Sequence, residues 1–267
     1  MDRSAEIFGF YPAAWGNGNG NTSFNVGNMP TPDSIGQPVE AKNTGAGKGF
    51  IYDAAPSGSH AAFDFVNDYW STALPSVIKR GMTIRARIKN TVTGVFSAVV
   101  GSYKDASNQW RLMRRNDNGY ILYIVIGGTP YSIQTSVGYA QDTVIDMTAT
   151  LGLDGVGHIF YSGSEVGSYI SQQTVPDVTT VFGNTVIGSN GNGGAFMNGE
   201  NYHTSIHNRV FSDAEILANA SLPNSMGYTA NNVDGLLYMG PIPSAPGGIK
   251  SKATQLKLKN KISTVLQ

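Results

Sequence analysis

From Thr83 to Tyr161 the chain is a succession of short runs, with Gly, Asn or Asp at most of the joints. The first, Thr83-Ile84-Arg85-Ala86-Arg87-Ile88-Lys89, alternates strictly. Ile84, Ala86 and Ile88 point one way and three cations the other, as a half-buried strand requires. Further runs cover 94–101, 109–114, 119–126, 129–135, 143–153 and 157–161. Asn116-Asp117-Asn118-Gly119 and Gly127-Gly128 are hairpin signals, and Asp154-Gly155 marks another turn. Single short strands bury too little to be stable, so evenly spaced strands with turns between them imply a sandwich or a barrel.

Composition agrees. The 267 residues include 33 Gly and no Cys, and only 13% are charged, against about 25% in an average domain. The length suits one large β domain of roughly 200–250 residues. A core of that size needs no disulfide or metal to hold it. Met1-Asp2-Arg3-Ser4-Ala5-Glu6 has two acids and no apolar core, so no signal peptide is expected. No apolar run reaches the ~18–20 residues of a membrane span, and no membrane partner is expected.

The ends differ from the middle. Residues 1–40 carry Trp15-Gly16-Asn17-Gly18-Asn19-Gly20-Asn21 and Pro30, Pro32 and Pro38, too much punctuation for long elements. They read as an N-terminal arm whose apolar stretch, Ile7-Phe8-Gly9-Phe10-Tyr11, packs on the domain or on a neighbouring subunit. Residues 41–222 read as the domain. Residues 223–267 read as a Pro/Gly connector and a basic C-terminal arm, with Pro223, Pro241, Pro243 and Pro246 at its start. Lys250, Lys252, Lys257, Lys259 and Lys261 stand in the last 21 residues without an acid, which leaves the rest of the chain at −5. Leu256, Lys257, Leu258, Lys259, Lys261 and Ile262 form a candidate partner-binding arm. Its alternation fits a strand, and Leu258, Ile262, Val265 and Leu266 equally line one side of a helix.

The stretch Gly183–Ile216 carries Gly-Asn-Thr-Val-Ile-Gly-Ser-Asn, then Phe-Met-Asn-Gly, then Ser-Ile-His-Asn-Arg-Val-Phe-Ser-Asp-Ala-Glu-Ile. This order resembles the closing strands of the laminin-G/concanavalin-A-like jelly-roll family. Ala62-Phe63-Asp64-Phe65-Val66-Asn67-Asp68-Tyr69-Trp70 is similar in part to another strand of the family, though Phe65 and Val66 interrupt the family's Gly spacing. The resemblance implies an all-β, two-sheet antiparallel jelly-roll sandwich with extended N- and C-terminal arms. Ser212-Asp213-Ala214-Glu215 has the form of a capping box and predicts a helix of about two turns. The fold leaves function open, because such sandwiches serve as lectins, adhesion modules, hydrolases and viral structural parts.

Side-chain chemistry narrows the choice. Sandwich glucanases need paired carboxylates about 5–9.5 Å apart. Asp142 and Asp146 on one strand would stand about 13 Å apart at ~3.3 Å per residue, so no catalytic residues are assigned and no enzyme is expected. His203 and His207 fall on one strand with the same separation and hold no metal as a pair. Asp64, Asn67, Asp68, Asn190 and Asn192 are oxygen donors near turns. They offer fewer carboxylates than a Ca²⁺ site usually has, and read as turn hydrogen-bonders. No cofactor and no metal are expected.

Arg85, Arg87, Trp110, Arg111, Arg114 and Arg115 are the candidate ligand-binding group, suited to an acidic polysaccharide, a phosphate or an acidic protein surface. A solvated outer sheet face is the plainer reading of the same cations. The net-acidic body argues against nucleic acid. Trp70, Trp110, Tyr120, Tyr123 and Tyr131 are candidate aromatic platforms for sugar, though core burial suits most of them as well.

The resemblance and the two arms together point to a non-enzymatic structural component of a virus particle. A tailed-phage protein for capsid decoration, fibre attachment or the tail would suit them. It would be made in the host cytoplasm, reside in the virion, and bind other virion proteins and copies of itself through its arms. The alternative is a carbohydrate-binding module for host recognition or adhesion, with a glycan as partner. A hydrolase with a scattered site is the third option.

Overall fold

The computed structural model describes residues 6–10, 22–24, 38–42, 49–51 and 60–64. It also describes residues 69–220 apart from 92–93, 136–137, 139–140, 167–168, 178 and 193. The early strands are β1 (Glu6–Phe10), β2 (Thr22–Phe24), β3 (Pro38–Lys42), β4 (Gly49–Ile51), β5 (His60–Asp64) and β6 (Tyr69–Ile78). Then come β7 (Met82–Asn90), β8 (Ser97–Asp105), β9 (Asn108–Arg114), β10 (Tyr120–Ile126), β11 (Thr129–Thr135) and β12 (Val144–Leu151). β13 (Gly157–Tyr161), β14 (Ser164–Glu165), β15 (Tyr169–Gln172), β16 (Thr180–Ile187) and β17 (Asn198–His207) follow, and one helix, α1 (Asp213–Ala220), comes after them.

The strands form two antiparallel sheets that face each other across one core. The eight-stranded sheet runs β14-β13-β12-β7-β17-β5-β4, with β1 paired to β17 as its eighth strand, and the nine-stranded sheet runs β15-β11-β10-β9-β8-β16-β6-β3-β2. The fold is therefore the all-β jelly-roll sandwich that the family resemblance implies. β17 serves two partners along its free edge. Asn198–Asn201 pair with β5, and Thr204–His207 pair with β1. The stretch holding Phe8, Gly9 and Phe10 thus packs as a strand of the sandwich. Residues 221–267, with the connector and basic arm, lie outside the described residues.

Alternation decides which side chains enter the core. Ile84, Ala86 and Ile88 of β7 and Ile145, Met147 and Ala149 of β12 face Trp110, Leu112, Leu122, Ile124 and Ile133 from the other sheet. Fully burying each large apolar side chain contributes about 1.5–3 kcal/mol, so this layer is the main source of stability. Trp110 is fully buried, and its Nε1–H donates to Ser76 Oγ at 2.6 Å. At the β10–β11 hairpin Gly127 and Gly128 have φ of 57° and 87°, the pair of positive angles that a two-residue primed turn requires.

The capping box forms as the spacing predicts. Ser212 Oγ accepts from the Glu215 N–H at 3.4 Å, and Glu215 accepts from the Ser212 N–H at 2.9 Å. Arg209 adds two bonds to the same carboxylate, at 2.9 and 2.6 Å. Together these bonds pull the Glu215 pKa down to about 2.

Candidate functional site

Residues that alternate away from the core form the outer faces of the two sheets, and the two faces have different fates. On the eight-stranded sheet the outward residues include Thr83, Arg85 and Arg87 of β7, Asp146 and Thr148 of β12, and His203, Ser205 and His207 of β17. The segment 208–220 lies over them. Phe211 and Ile216 pack on Phe160 of β13. Thr83 Oγ1 donates to the Arg209 carbonyl and accepts from the Phe211 N–H, at 2.8 and 2.9 Å.

Arg85 and Arg87 are therefore not a surface cluster, and their assignment as ligand-binding residues is corrected. Arg85 is 1% exposed and Arg87 is 3% exposed. Arg85 grips Asp146 with two bonds of 3.2 and 2.5 Å, and Arg87 reaches the same carboxylate at 3.2 Å. Arg85 also donates to the Asn219 carbonyl and Arg87 to the Ala220 carbonyl, each at 2.8 Å. Two guanidinium groups thus share one carboxylate and the carbonyl end of α1. That end carries the negative pole of the helix and has carbonyls with no partner inside the helix. Burial holds the His203 pKa well below its ordinary value, and Arg85, Arg87 and His207 add to the effect. The layer is a polar clamp beneath a helix.

The other candidates separate as well. Trp110 points into the core, so it cannot be a platform or a surface contact. Arg114 shares the core side of β9 with Trp110 and Leu112. It is 3% exposed and donates to Asn118 Oδ1 at 2.8 Å. Arg115, at the β9–β10 turn, pairs with Asp117 at 2.9 Å and donates to the Thr135 carbonyl at 3.1 Å. Asp146 sits on β12, while Asp142 lies in the turn before it with φ of 59°. Asn190 Oδ1 accepts from the Asn192 and Gly194 N–H groups, each at 3.1 Å, the turn role expected of it. Asn67 and Asp68 lie outside the described residues, as does the side chain of Asp64.

Arg111 alone of the six faces outward from the nine-stranded sheet with its head half open. It belongs to a row that crosses four strands at matched positions, Gly101 on β8, Arg111 on β9, Tyr123 on β10 and Ser132 on β11. At about 4.8 Å between strands, the row is about 14 Å long. The Arg111 guanidinium carbon lies 4.9 Å from the centre of the Tyr123 ring. On the other flank the row has no side chain, because Gly101 stands there. A Cβ at Gly101 would come within 3.1 Å of Arg111 Cβ and 2.8 Å of the Trp110 carbonyl.

The neighbouring rows complete the surface. One contains Ala98, Met113, Ile121 and Gln134, the other Tyr103, Gln109, Val125 and Pro130. Ala98, Met113 and Ile121 form an apolar floor against which Tyr123 and Ala195 pack. Ala195 comes from the β16–β17 loop, residues 188–197, and its carbonyl accepts from the Ala98 N–H at 2.8 Å. That loop walls one side. On the other side Ser132 Oγ accepts from Gln134 Nε2 at 3.0 Å, bonds Ser171 Oγ at 3.1 Å and donates to Gln173 Oε1 at 3.2 Å.

The aromatic candidates divide in the same way. Tyr123 lies on this surface, Tyr120 is in the core, and Tyr131 packs against the core. Gly101, Gln109, Ser132 and Gln134 are missed by a search for charged or aromatic residues. The signal that finds them is their outward position in strand register with Arg111 and Tyr123.

Among the described residues no three His, Asp or Glu side chains stand where they could hold a metal ion. No family model matches the chain, and no curated protein does. Solved structures do match. The receptor-binding domain of botulinum neurotoxin C/D mosaic serotype is 15% identical with a TM-score of 0.58, and the match covers 82% of this chain and 51% of that one. Trypanosoma rangeli sialidase in complex with the inhibitor DANA is 12% identical with a TM-score of 0.53, over 80% of this chain and 32% of that one. The Ruminococcus gnavus IT-sialidase CBM40 bound to α2,3-sialyllactose is 14% identical with a TM-score of 0.46, over 53% of this chain and 83% of that one. The chain spans about half of the toxin domain and about a third of the trypanosomal enzyme. The first two likenesses establish the sandwich fold.

Proposed function

We propose that this protein is a non-catalytic saccharide-binding module, and that its site is the outer face of the nine-stranded sheet around Tyr123 and Arg111. One observation carries the reading. A half-open tyrosine ring and a guanidinium lie in one cross-strand row beside a buried apolar cluster, with amide and hydroxyl groups at the margin. Sugar rings present apolar C–H faces and a rim of hydroxyls. An aromatic ring flanked by hydrogen-bonding groups complements both. Arg111, Tyr123 and Ser132 stand on strands hydrogen-bonded to their neighbours, which position them before a ligand arrives. The botulinum protein of like fold, about half of which this chain spans, is a receptor-binding domain.

The virion expectation draws on the arm from Leu256 to Ile262, which lies outside the described residues, whereas the saccharide reading draws on side chains among the described residues. The test is a glycan array probed with the full chain and with Tyr123→Ala. Binding by the parent chain that drops at least about tenfold in the variant supports the reading. A parent chain that binds no glycan on a broad array overturns it.

A further inference from the structure

The state of the Arg111 head group narrows the ligand class, provided that the saccharide reading holds. Every other described arginine donates to an oxygen. Arg80 reaches the Val175 and Leu153 carbonyls, and Arg209 reaches Glu215. Arg85, Arg87, Arg114 and Arg115 have the acceptors given above. Arg111 makes no such bond. Its Nε–H is buried from water and has no acceptor, and its one close partner is the face of Tyr123. A guanidinium carries five N–H donors and keeps its charge at any physiological pH. Holding it partly desolvated without a counter-charge is costly, and burial lowers its pKa.

Among the described residues of β8 to β11 no anion faces Arg111. From β8 to β11 the row of Arg111 and the two rows beside it contain no Asp or Glu, and the row reaches one, Glu40, only on β3, four strands from Arg111. Asp105, at the hairpin end of β8, accepts instead from the Ser107 N–H and the Asn108 amide. We infer that the ligand is a saccharide bearing a carboxylate, and that the carboxylate docks on Arg111 while the sugar ring lies against Tyr123. A planar carboxylate matches the guanidinium fork with two parallel hydrogen bonds. A polysulfated chain would call for several cations, and from β8 to β11 the same three rows hold no second one.

The experiment is titration calorimetry of the full chain against five probes: 3′-sialyllactose, an oligogalacturonate, its methyl ester, lactose, and a sulfated oligosaccharide. The expected result is that one acidic probe binds roughly tenfold to a hundredfold tighter than its uncharged counterpart. Which acid does so distinguishes a sialic acid from a uronic acid. Arg111→Gln removes that preference, Arg111→Lys restores part of it, and an unchanged melting temperature shows that both variants are folded. Equal binding of acid and uncharged probe, a preference that survives Arg111→Gln, or tighter binding of a sulfated oligosaccharide overturns this inference and leaves the saccharide reading intact. Failure of the parent chain to bind any probe or array glycan overturns both.

Discussion

The outer faces of the two sheets begin alike and end differently. Each is built from side chains that alternate away from the core, and each displays arginine. On the eight-stranded sheet Arg85 and Arg87 are sealed under α1, held by Asp146 and two helix carbonyls. On the nine-stranded sheet Arg111 rests against a tyrosine ring and meets no oxygen. The same residue type is a structural clamp in one place and a candidate ligand contact in the other. The difference lies in what the rest of the chain lays over it. An arginine that points outward is informative about function only once its acceptors are known.

Asp146→Ala should break that contrast most forcefully. It leaves two guanidinium groups buried with no counter-charge, and an expected loss of about 3–5 kcal/mol by urea denaturation follows. A loss below 1 kcal/mol would mean that the clamp does not hold α1 in place. Tyr120→Ala should cost about 3–5 kcal/mol because the ring is buried against Tyr161 in the core. Tyr123→Ala, three residues on and facing out, should change stability by far less and binding by more. Similar stability losses from the two would contradict the assignment of faces.

Acid should reach the covered face as well. His203 has a folded pKa below its unfolded value near 6.5, so the native state holds it neutral. Its contribution is complete above about pH 6.5 and falls as the pH drops below that value, by up to ~1.4 kcal/mol per pH unit. A stability profile that is flat between pH 7 and 5 in the parent chain, or that keeps the same slope in His203→Asn, would rule this out.

A smaller effect is expected at Glu215. Its folded pKa is near 2 against 4.5 unfolded, so its contribution is present above about pH 4.5 and is lost as the pH falls toward 2. The carboxylate is partly exposed, and screening limits the effect to about 1 kcal/mol. Glu215→Gln should remove that part of the acid dependence. The smallest change belongs to Arg111→Gln, which should alter stability by no more than about 0.5 kcal/mol. A large loss there would make Arg111 another structural arginine and sharpen the comparison against the proposed site.

Much of this architecture is readable from local pattern. The alternation of Thr83–Lys89, the Gly127-Gly128 turn and the Ser212–Glu215 capping box each follow from short-range rules, because backbone pleat, turn angles and helix caps depend on residues a few positions apart. The candidate site is harder to read. Trp110 and Arg111 are adjacent in sequence, yet one lies in the core and the other on the surface, as the strand period of two requires. Grouping six residues by closeness in the chain hides that division. Tyr123 and Ser132 join Arg111 only through the register of β9, β10 and β11.

The sequence by itself determined that Ile84, Ala86 and Ile88 of the alternating run Thr83–Lys89 turn to the core, since alternation is a property of the extended backbone. It also determined the turns and the start of the helix. Only the tertiary structure decided which outward face would be covered, because α1 reaches Arg85 and Arg87 across more than 130 residues of chain, and no local pattern carries that pairing. Outward is a matter of local geometry, whereas exposed depends on everything that packs on top.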